Sequence, residues 1–456
     1  MIVPHAYYGK RIGVFGLARS GLSACAALDA AGADVTAWDD NAARRTQSNP
    51  PCRDLYDLDM ADLDALVVAP GVPLTHPQPH ALIARARTAS VPVIGDIELF
   101  AAARRDLPHC SVVAITGTNG KSTTAALMAH VLASAGRETA LGGNIGIPAL
   151  DLPVLRTGGI YVLELSSYQL DLTHSLDAEI AILLNITPDH LDRHGTLDNY
   201  VAAKRRLFDM QTPEGLAIIG VDDAHGRAIA AALPQRVIAV SVTRALDDGL
   251  FVDDTGRLHE ARAGAACRIA DLSGLPTLKG RHNWQNAACV FAAARELGLS
   301  NADILTGLES FAGLAHRCEV VAEIAGGGLI INDSKATNMD AAATALAAFD
   351  RVRWIAGGRL KSPDLSPVEP VLQNVRRAYL VGEAAPILES GLAGAVETVR
   401  CETVATAAAC ALDDRAAGET ILFSPGCASF DQFSDFEARG DAFKAAIRQK
   451  LTEVER

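Results

Sequence analysis

Ala114-Ile-Thr-Gly-Thr-Asn-Gly-Lys-Ser-Thr-Thr124 continues a β-branched run, Ser111-Val-Val-Ala-Ile-Thr116, and leads into an Ala-rich segment over 122–135. The run reads as a buried parallel strand and the segment as a helix, so a glycine-bearing turn joins a strand end to a helix N-terminus. That arrangement makes a phosphate site. Gly117 and Gly120 let the backbone turn so that the N–H groups around Thr118 and Asn119 face inward, and the helix end adds partial positive charge. Lys121 would reach the β- and γ-phosphates, and the hydroxyl of Ser122 or Thr123 would ligate Mg²⁺. The usual spacing wants a further glycine where Ile115 stands, so this is a shortened phosphate loop. A loop that only connects strand to helix is the bland alternative. Strand, helix and TGTNGKST together favour an ATP site.

On the N-terminal side, Lys10-Arg-Ile-Gly-Val-Phe-Gly16 enters the turn Gly16-Leu-Ala-Arg-Ser-Gly21, and the pattern predicts a helix over 22–31. A second strand, Asp34-Val-Thr-Ala-Trp38, ends at Asp39-Asp40, where a Rossmann-type unit places the acid that meets a ribose. Ala18 replaces the middle glycine of the dinucleotide fingerprint. A nicotinamide cofactor, another nucleotide and a purely structural turn therefore all stay open. The next strand, Ala65-Leu-Val-Val-Ala-Pro-Gly71, ends in a Pro-Gly turn at the same sheet edge. A first domain boundary is placed near 98–108.

Downstream, Leu141-Gly-Gly-Asn-Ile-Gly146 is a glycine loop suited to a second phosphate, and Tyr161-Val-Leu-Glu-Leu-Ser-Ser167 reads as a strand with one acid at its end. An acid in an apolar strand needs a cation, so Glu164 is either a Mg²⁺ ligand or one half of a salt bridge. Ile180-Ala-Ile-Leu-Leu-Asn-Ile186 reads as another buried strand leading to His190, which is a ligand at the catalytic edge or an ordinary structural histidine. Helical spacing puts Lys204 on the apolar face with Tyr200, Leu207 and Phe208. Burial would lower its pKa and make its amine reactive, whereas a snorkelling stem would leave it ordinary. Residues 214–278 read as short strands and turns. Asn283 and Asn286 share a helical face and could read a base edge, unless Asn283 is a simple cap. A second boundary falls near 308–316. The last third repeats the strand-then-polar-loop pattern, at Asp333-Ser-Lys-Ala-Thr-Asn338, Gly357-Gly358 with Lys361, and Ser424-Pro-Gly-Cys-Ala-Ser-Phe430.

Composition narrows the classes. The chain has 456 residues, a length that suggests about three domains, and 49% hydrophobic residues, which excludes wholesale disorder. Forty-one basic against fifty-four acidic residues leave −13, which disfavours nucleic acid as a partner. Apolar runs are too short to span a bilayer, and no secretory signal is evident, so neither membrane association nor export is expected. Nine scattered cysteines without a Cys-x-x-Cys pair point to a reducing, cytoplasmic setting without zinc or disulfides.

Several motifs in order resemble the Mur ligase family of ATP-dependent amide ligases: TGTNGKST, ELSSYQL, NITPDHLDRH, YVAAK, RHNWQNA, HRCE, NDSKATN and the C-terminal SPGCASFDQF with FEARG. The likeness covers almost the whole chain. It implies an α/β fold of three domains: a Rossmann-like UDP-binding domain (1–100), a central ATP-binding domain with a parallel sheet (101–313), and a C-terminal Rossmann-like domain that binds D-glutamate (314–456). The reaction it implies adds D-glutamate to UDP-N-acetylmuramoyl-L-alanine through an acyl phosphate, in cytoplasmic peptidoglycan precursor synthesis, by a monomer. By the same resemblance, Gly117, Thr118, Asn119, Gly120, Lys121, Ser122 and Thr123 bind ATP, Asn283 and Asn286 face its adenine, and Arg317, Asp333 and Lys335 its ribose and phosphates. Ser122 and Glu164 would hold one Mg²⁺, and His190 with a carbamylated Lys204 a second. Ser20, Asp39, Asp40 and Gly71 would meet the UDP moiety and Asn144 the rest of that substrate. Thr337, Lys361, Ser429, Phe430 and Phe436 would receive D-glutamate. Rival readings are a sister ligase with another amino acid, a folylpolyglutamate synthase, a nicotinamide oxidoreductase and a nucleotide-binding protein without catalysis.

Overall fold

The computed structural model describes residues 1–46, 52–275, 277–324 and 326–454. Its described strands form three sheets. The first has β1 (Arg11–Phe15), β2 (Asp34–Trp38), β3 (Ala65–Val68) and β4 (Val93–Ile94), all parallel in the order β2-β1-β3-β4. The second contains β5 (Ser111–Thr116), β6 (Thr139–Gly143), β7 (Ile160–Glu164), β8 (Ile180–Leu183), β9 (Leu216–Gly220), β10 (Arg236–Ser241), β11 (Gly249–Val252), β12 (Arg257–Arg262) and β13 (Ala265–Asp271). Their order is β13-β12-β11-β10-β9-β8-β5-β7-β6, parallel except that β12 pairs antiparallel with both β11 and β13 at one edge. The third contains β14 (Glu319–Glu323), β15 (Leu329–Asn332), β16 (Val352–Gly357), β17 (Val375–Val381), β18 (Thr398–Arg400) and β19 (Thr420–Phe423), in the order β14-β15-β19-β16-β17-β18 with β14 antiparallel. Strands β5, β7 and β8 are buried along nearly their whole length, which is why they read as unbroken apolar runs.

The chain divides into two compact units, Met1–Gly274 with Trp284–Ser310, and Leu275–Asn283 with Phe311–Arg456. The first unit holds two sheets over one continuous core, because the helix Asp96–Ala103 buries Ile97, Leu99, Phe100 and Ala103 in it. Phe100 meets Tyr161 of the central sheet edge-on at 5.3 Å. Polar contacts seal the same junction: Ser23 to Asp151 at 2.7 Å, and the N–H groups of His174 and Ser175 to Glu98. The six strands of the third sheet lie in the second unit, between two apolar layers, one with Trp354 and Leu388, the other with Phe423 and Phe443.

Three local readings need correction. The first helix starts at Arg19, not residue 22, because Gly21 lacks the Cβ that would come within 1.8 Å of the Gly16 carbonyl oxygen. Strands β3 and β8 stop at Val68 and Leu183, since the residues beyond them turn into loops at the sheet edge. The stretch 214–278 contains a helix, Ala224–Ala232, whose start is capped by the Asp223 carboxylate accepting from the Gly226 N–H.

Candidate active site

In the first unit, the turn after β5 is built by two glycines with positive φ, Gly117 (152°) and Gly120 (85°). Gly120 is the N-cap of the helix Lys121–Ser134, and no side chain caps that end. Asn185, just past β8, fixes the turn from below. Its carbonyl accepts the Thr118 N–H and its side-chain oxygen the Asn119 N–H, both at 2.9 Å. The Thr118 hydroxyl accepts the Thr187 N–H at 3.0 Å and lies 3.1 Å from the Tyr200 hydroxyl. Lys121 Nζ donates to the Thr118 carbonyl at 2.7 Å. Ser122 is buried at the head of the helix and Thr123 follows it. Asn286 is buried against the turn, since a Cβ on Gly120 would come 2.5 Å from its Oδ1. Asn185 was absent from the sequence reading; its signal was a polar residue closing an apolar strand.

Glu164 ends β7, in register with Ile115 of β5, and is 1% exposed. Its Oε1 accepts from the Asn144 amide at 2.9 Å, while Oε2 is buried with no partner. An amide, not a cation, holds this acid, and one oxygen is left for a ligand.

Lys204 is also 1% exposed, in the helix Leu197–Asp209. Its Nζ donates to the Gly117 carbonyl at 2.7 Å and sits 4.5 Å from the Tyr200 ring centroid. The ammonium therefore points into the phosphate turn, which removes the snorkelling alternative. Burial pushes its pKa well below the usual lysine range and Lys121 adds to that, while Asp189 and Glu164 pull the other way.

His190 is the N-cap of the short helix Leu191–His194, with φ 54°. Its Nδ1 shares a 2.9 Å hydrogen bond with the Tyr168 hydroxyl, and its Nε2 lies 3.5 Å from Asp189 Oδ2. His194 beside it is buried, 2.9 Å from the Ser167 hydroxyl and 3.5 Å from Asp171, and burial lowers its pKa to about 4. The order Ser167, His194, Asp171 imitates a nucleophilic relay, but Ser167 is buried, so the trio packs helices together.

Parallel sheets take ligands where strand order reverses, which in the first sheet is between β1 and β3. Asp39 is buried and accepts from the Leu17 N–H at 2.7 Å and the Asn41 N–H at 2.8 Å, so its carboxylate shapes the turn itself. Asp40 is exposed, 3.3 Å from His80 Nε2 and 3.4 Å from the Tyr56 hydroxyl, and the His80 ring lies tilted against Phe15 with centroids 4.4 Å apart. Ser20 lies in the first turn of the helix Arg19–Ala30, and Gly71 is exposed with open space around it. The Arg19 guanidinium donates to the Gly146 carbonyl and ties this edge to the Asn144 loop. Sequence reasoning missed Tyr56 and His80, which reach Asp40 only through the fold.

In the second unit, Asp333 follows β15 and accepts from the Ser424 hydroxyl at 2.7 Å and the Cys318 N–H at 3.2 Å. It thereby holds the turn that carries Arg317, where His316 and Cys318 have positive φ. Burial raises its pKa to about 6. Lys335 Nζ sits 3.8 Å from the Phe436 ring centroid. Arg439, also missed, is buried and donates to the Ser334 hydroxyl and carbonyl and to the Cys427 carbonyl, joining the loops of Thr337 and Ser429. Ser429 is buried, Phe430 is 64% exposed and Lys361 is exposed. Arg359 pairs with Ala428, so Lys361 and Ser429 share one edge of the sheet. Asn283 donates from Nδ2 to the Lys279 carbonyl at 3.0 Å and is not an N-cap.

Comparison with known proteins gives a consistent result. The family described as the Mur ligase middle domain matches residues 115–294, and that described as the Mur ligase, glutamate ligase domain matches 316–427. A UDP-N-acetylmuramoylalanine–D-glutamate ligase of Phenylobacterium zucineum is 48% identical over 99% of each chain. One of Caulobacter vibrioides is 47% identical, over 98% of this chain and 97% of its own. Among solved structures, the UDP-N-acetylmuramate-alanine ligase of Thermotoga maritima aligns with a TM-score of 0.56 at 17% identity, over 98% of this chain and 99% of the other. The MurF protein of Acinetobacter baumannii gives 0.56 at 20%, over 85% of each. These two show a shared fold.

Proposed function

This chain belongs to the Mur ligase family, and from that premise we propose that it joins D-glutamate to UDP-N-acetylmuramoyl-L-alanine with ATP as the energy source, as a cytoplasmic monomer in peptidoglycan precursor synthesis. Near-half identity to D-glutamate ligases along almost the full length supports the acceptor. The division at 1–100, 101–313 and 314–456 belongs to the same reading, with one sheet in each segment.

A carboxylate is a poor electrophile, so the muramoyl-alanine carboxylate first attacks the γ-phosphorus, giving an acyl phosphate and ADP. The D-glutamate amine then attacks that carbonyl, and the tetrahedral intermediate expels phosphate. Lys121 and the turn's N–H groups offset the repulsion between the two anions. The donors fit a hard cation, because Glu164 offers a buried oxygen without a protein partner next to a phosphate turn. Among the described residues, no three His, Cys, Asp or Glu side chains form a ready metal cage, so phosphate oxygens would complete the shell. Ser122 and Glu164 would hold one Mg²⁺, and His190 with carbamylated Lys204 a second; bound there, Mg²⁺ would neutralise charge on the transferred phosphoryl group. The depressed basicity of Lys204 favours the neutral amine, which can add CO₂ and release a proton to give the carbamate. Asn283, Asn286, Arg317, Asp333 and Lys335 would serve the nucleotide. Ser20, Asp39, Asp40, Gly71 and Asn144 would serve the UDP substrate. Lys361, Thr337 and Ser429 would hold the D-glutamate carboxylates, beside Phe430 and Phe436.

One observation carries this mechanism: Lys204 is buried against the Gly117 carbonyl, which puts a reactive amine at the phosphate turn. The test is phosphate release from ATP with the nucleotide-sugar substrate and a panel of amino acids. D-glutamate should be the productive acceptor. Turnover with L-alanine and none with D-glutamate would overturn the assignment.

A further inference from the structure

The Tyr168 ring is the centre of a cluster in the first unit. Arg193 lies over its face at 5.2 Å, and the tilted rings of His194 and His190 stand 5.6 and 5.0 Å from it between centroids. Its hydroxyl reaches only one of these, at His190 Nδ1. The residue sits in the helix Ser167–Asp171, whose start is locked by a capping box between Ser166 and Gln169. That helix follows directly on β7, so the strand that places Glu164 also places Tyr168. His190 needs such support, because its backbone is left-handed and its ring is partly exposed. Asp189 Oδ2 lies 3.5 Å from its Nε2, and the Tyr168 hydroxyl holds the other nitrogen.

Imidazoles that bind metal or phosphate through one nitrogen usually have the other nitrogen bonded to a protein group, which fixes both tautomer and direction. We propose that Tyr168 is a positioning residue for His190: the Nδ1–H is donated to the phenol oxygen, and Nε2 is thereby the nitrogen presented to the metal and the reacting phosphates. This rests on the reading of His190 as a group that faces those reactants. The phenol suits the task, because a neutral hydroxyl oxygen can accept from Nδ1–H without competing for the cation.

Tyr168→Phe tests this cleanly, because the ring stays under Arg193 and only the hydroxyl is lost. In ¹⁵N-histidine-labelled wild-type protein without metal or nucleotide, the His190 ring should carry its proton on Nδ1. His190→Gln identifies the signal by its disappearance. In Tyr168→Phe the signal should move towards a mixture of tautomers. Mn²⁺ affinity in the presence of ADP, followed by electron paramagnetic resonance, should fall about tenfold. In the His190→Gln background the same change should cause no further loss. kcat should fall about tenfold while the KM for D-glutamate is unchanged. Unchanged ring signals and Mn²⁺ affinity in Tyr168→Phe would overturn the proposal, as would a wild-type proton on Nε2. If His190→Gln itself leaves Mn²⁺ affinity and turnover at wild-type level, it is the role of His190 that fails, and the two failures are told apart.

Discussion

Lys204 shows how far a single residue can be read. Its place on the apolar stripe was visible in the spacing, but the partner was not: the Gly117 carbonyl is 87 positions away and meets Nζ only when the helix Leu197–Asp209 packs against β8. Lys204→Met keeps the volume and removes a buried cation. The variant should unfold at a temperature no lower than wild type, yet lose about a hundredfold or more of kcat. Full turnover in that protein would take the amine, and any carbamate on it, out of the chemistry. Asp96 is the opposite case, a residue with no sequence signal. Burial raises its pKa to about 6, and neither oxygen has a hydrogen-bond partner; the Ile97 N–H and Gln169 lie near enough to pull back only part of the shift. Between the unfolded value near 3.8 and the folded value near 6, the folded state binds more protons, so its stability falls as pH rises through that window. Above it the ionised carboxylate costs on the order of 3 kcal/mol. Asp96→Asn should therefore raise the melting temperature at neutral pH, with the gain gone by pH 4. An equal gain at both pH values would show that charge is not the cause.

At the scale of elements, strands were the most legible part. β5 falls on its predicted residues, because a strand buried on both faces leaves an unbroken apolar trace, and the half-exposed edge strand β2 falls on its own as well. Ends were less so. Beyond Leu183 the apolar run continues into a loop that buries Leu184 and Ile186, and beyond Val68 into the half-buried Ala69 and Pro70, neither pairing as sheet. The helix Ala224–Ala232 was lost among turns, although Asp223 is a serviceable cap signal. The turn between β5 and the helix Lys121–Ser134 was legible down to its two glycines, since only glycine takes those backbone angles cheaply. Gly120→Ala tests that element. It forces an L-residue to φ 85° and brings a Cβ to 2.5 Å from Asn286 Oδ1, so turn and amide must part. The expected result is a loss on the order of a hundredfold in kcat, with weaker binding of an ATP analogue by calorimetry. Unaltered nucleotide affinity would mean that Asn286 and the turn do not act together.

For the whole molecule, the sequence suggested three modules, whereas packing gives three sheets in two compact units. The difference arises at the junction of the first two sheets, where the burial of Phe100 and Tyr161 in one core leaves no linker to read. Arg193 is a buried cation at that junction. Its Nη2 donates to the Val72 carbonyl at 2.7 Å, next to the Pro70-Gly71 turn of the first sheet, while Nε and Nη1 are buried without partners. Burial accordingly lowers its pKa. A buried cation with two unpartnered nitrogens does little for stability, and an apolar side chain of similar length would do as well or better. What the guanidinium does provide is a tether from the edge that would bind the nucleotide-sugar to the helix beginning after His190. Arg193→Met should thus leave the melting temperature unchanged or raise it slightly, while the KM for UDP-N-acetylmuramoyl-L-alanine rises about tenfold and that for D-glutamate does not. A fall of many degrees in melting temperature with normal substrate constants would instead make Arg193 a structural residue, because a tether that serves binding must show itself in the binding constant of the substrate it steadies.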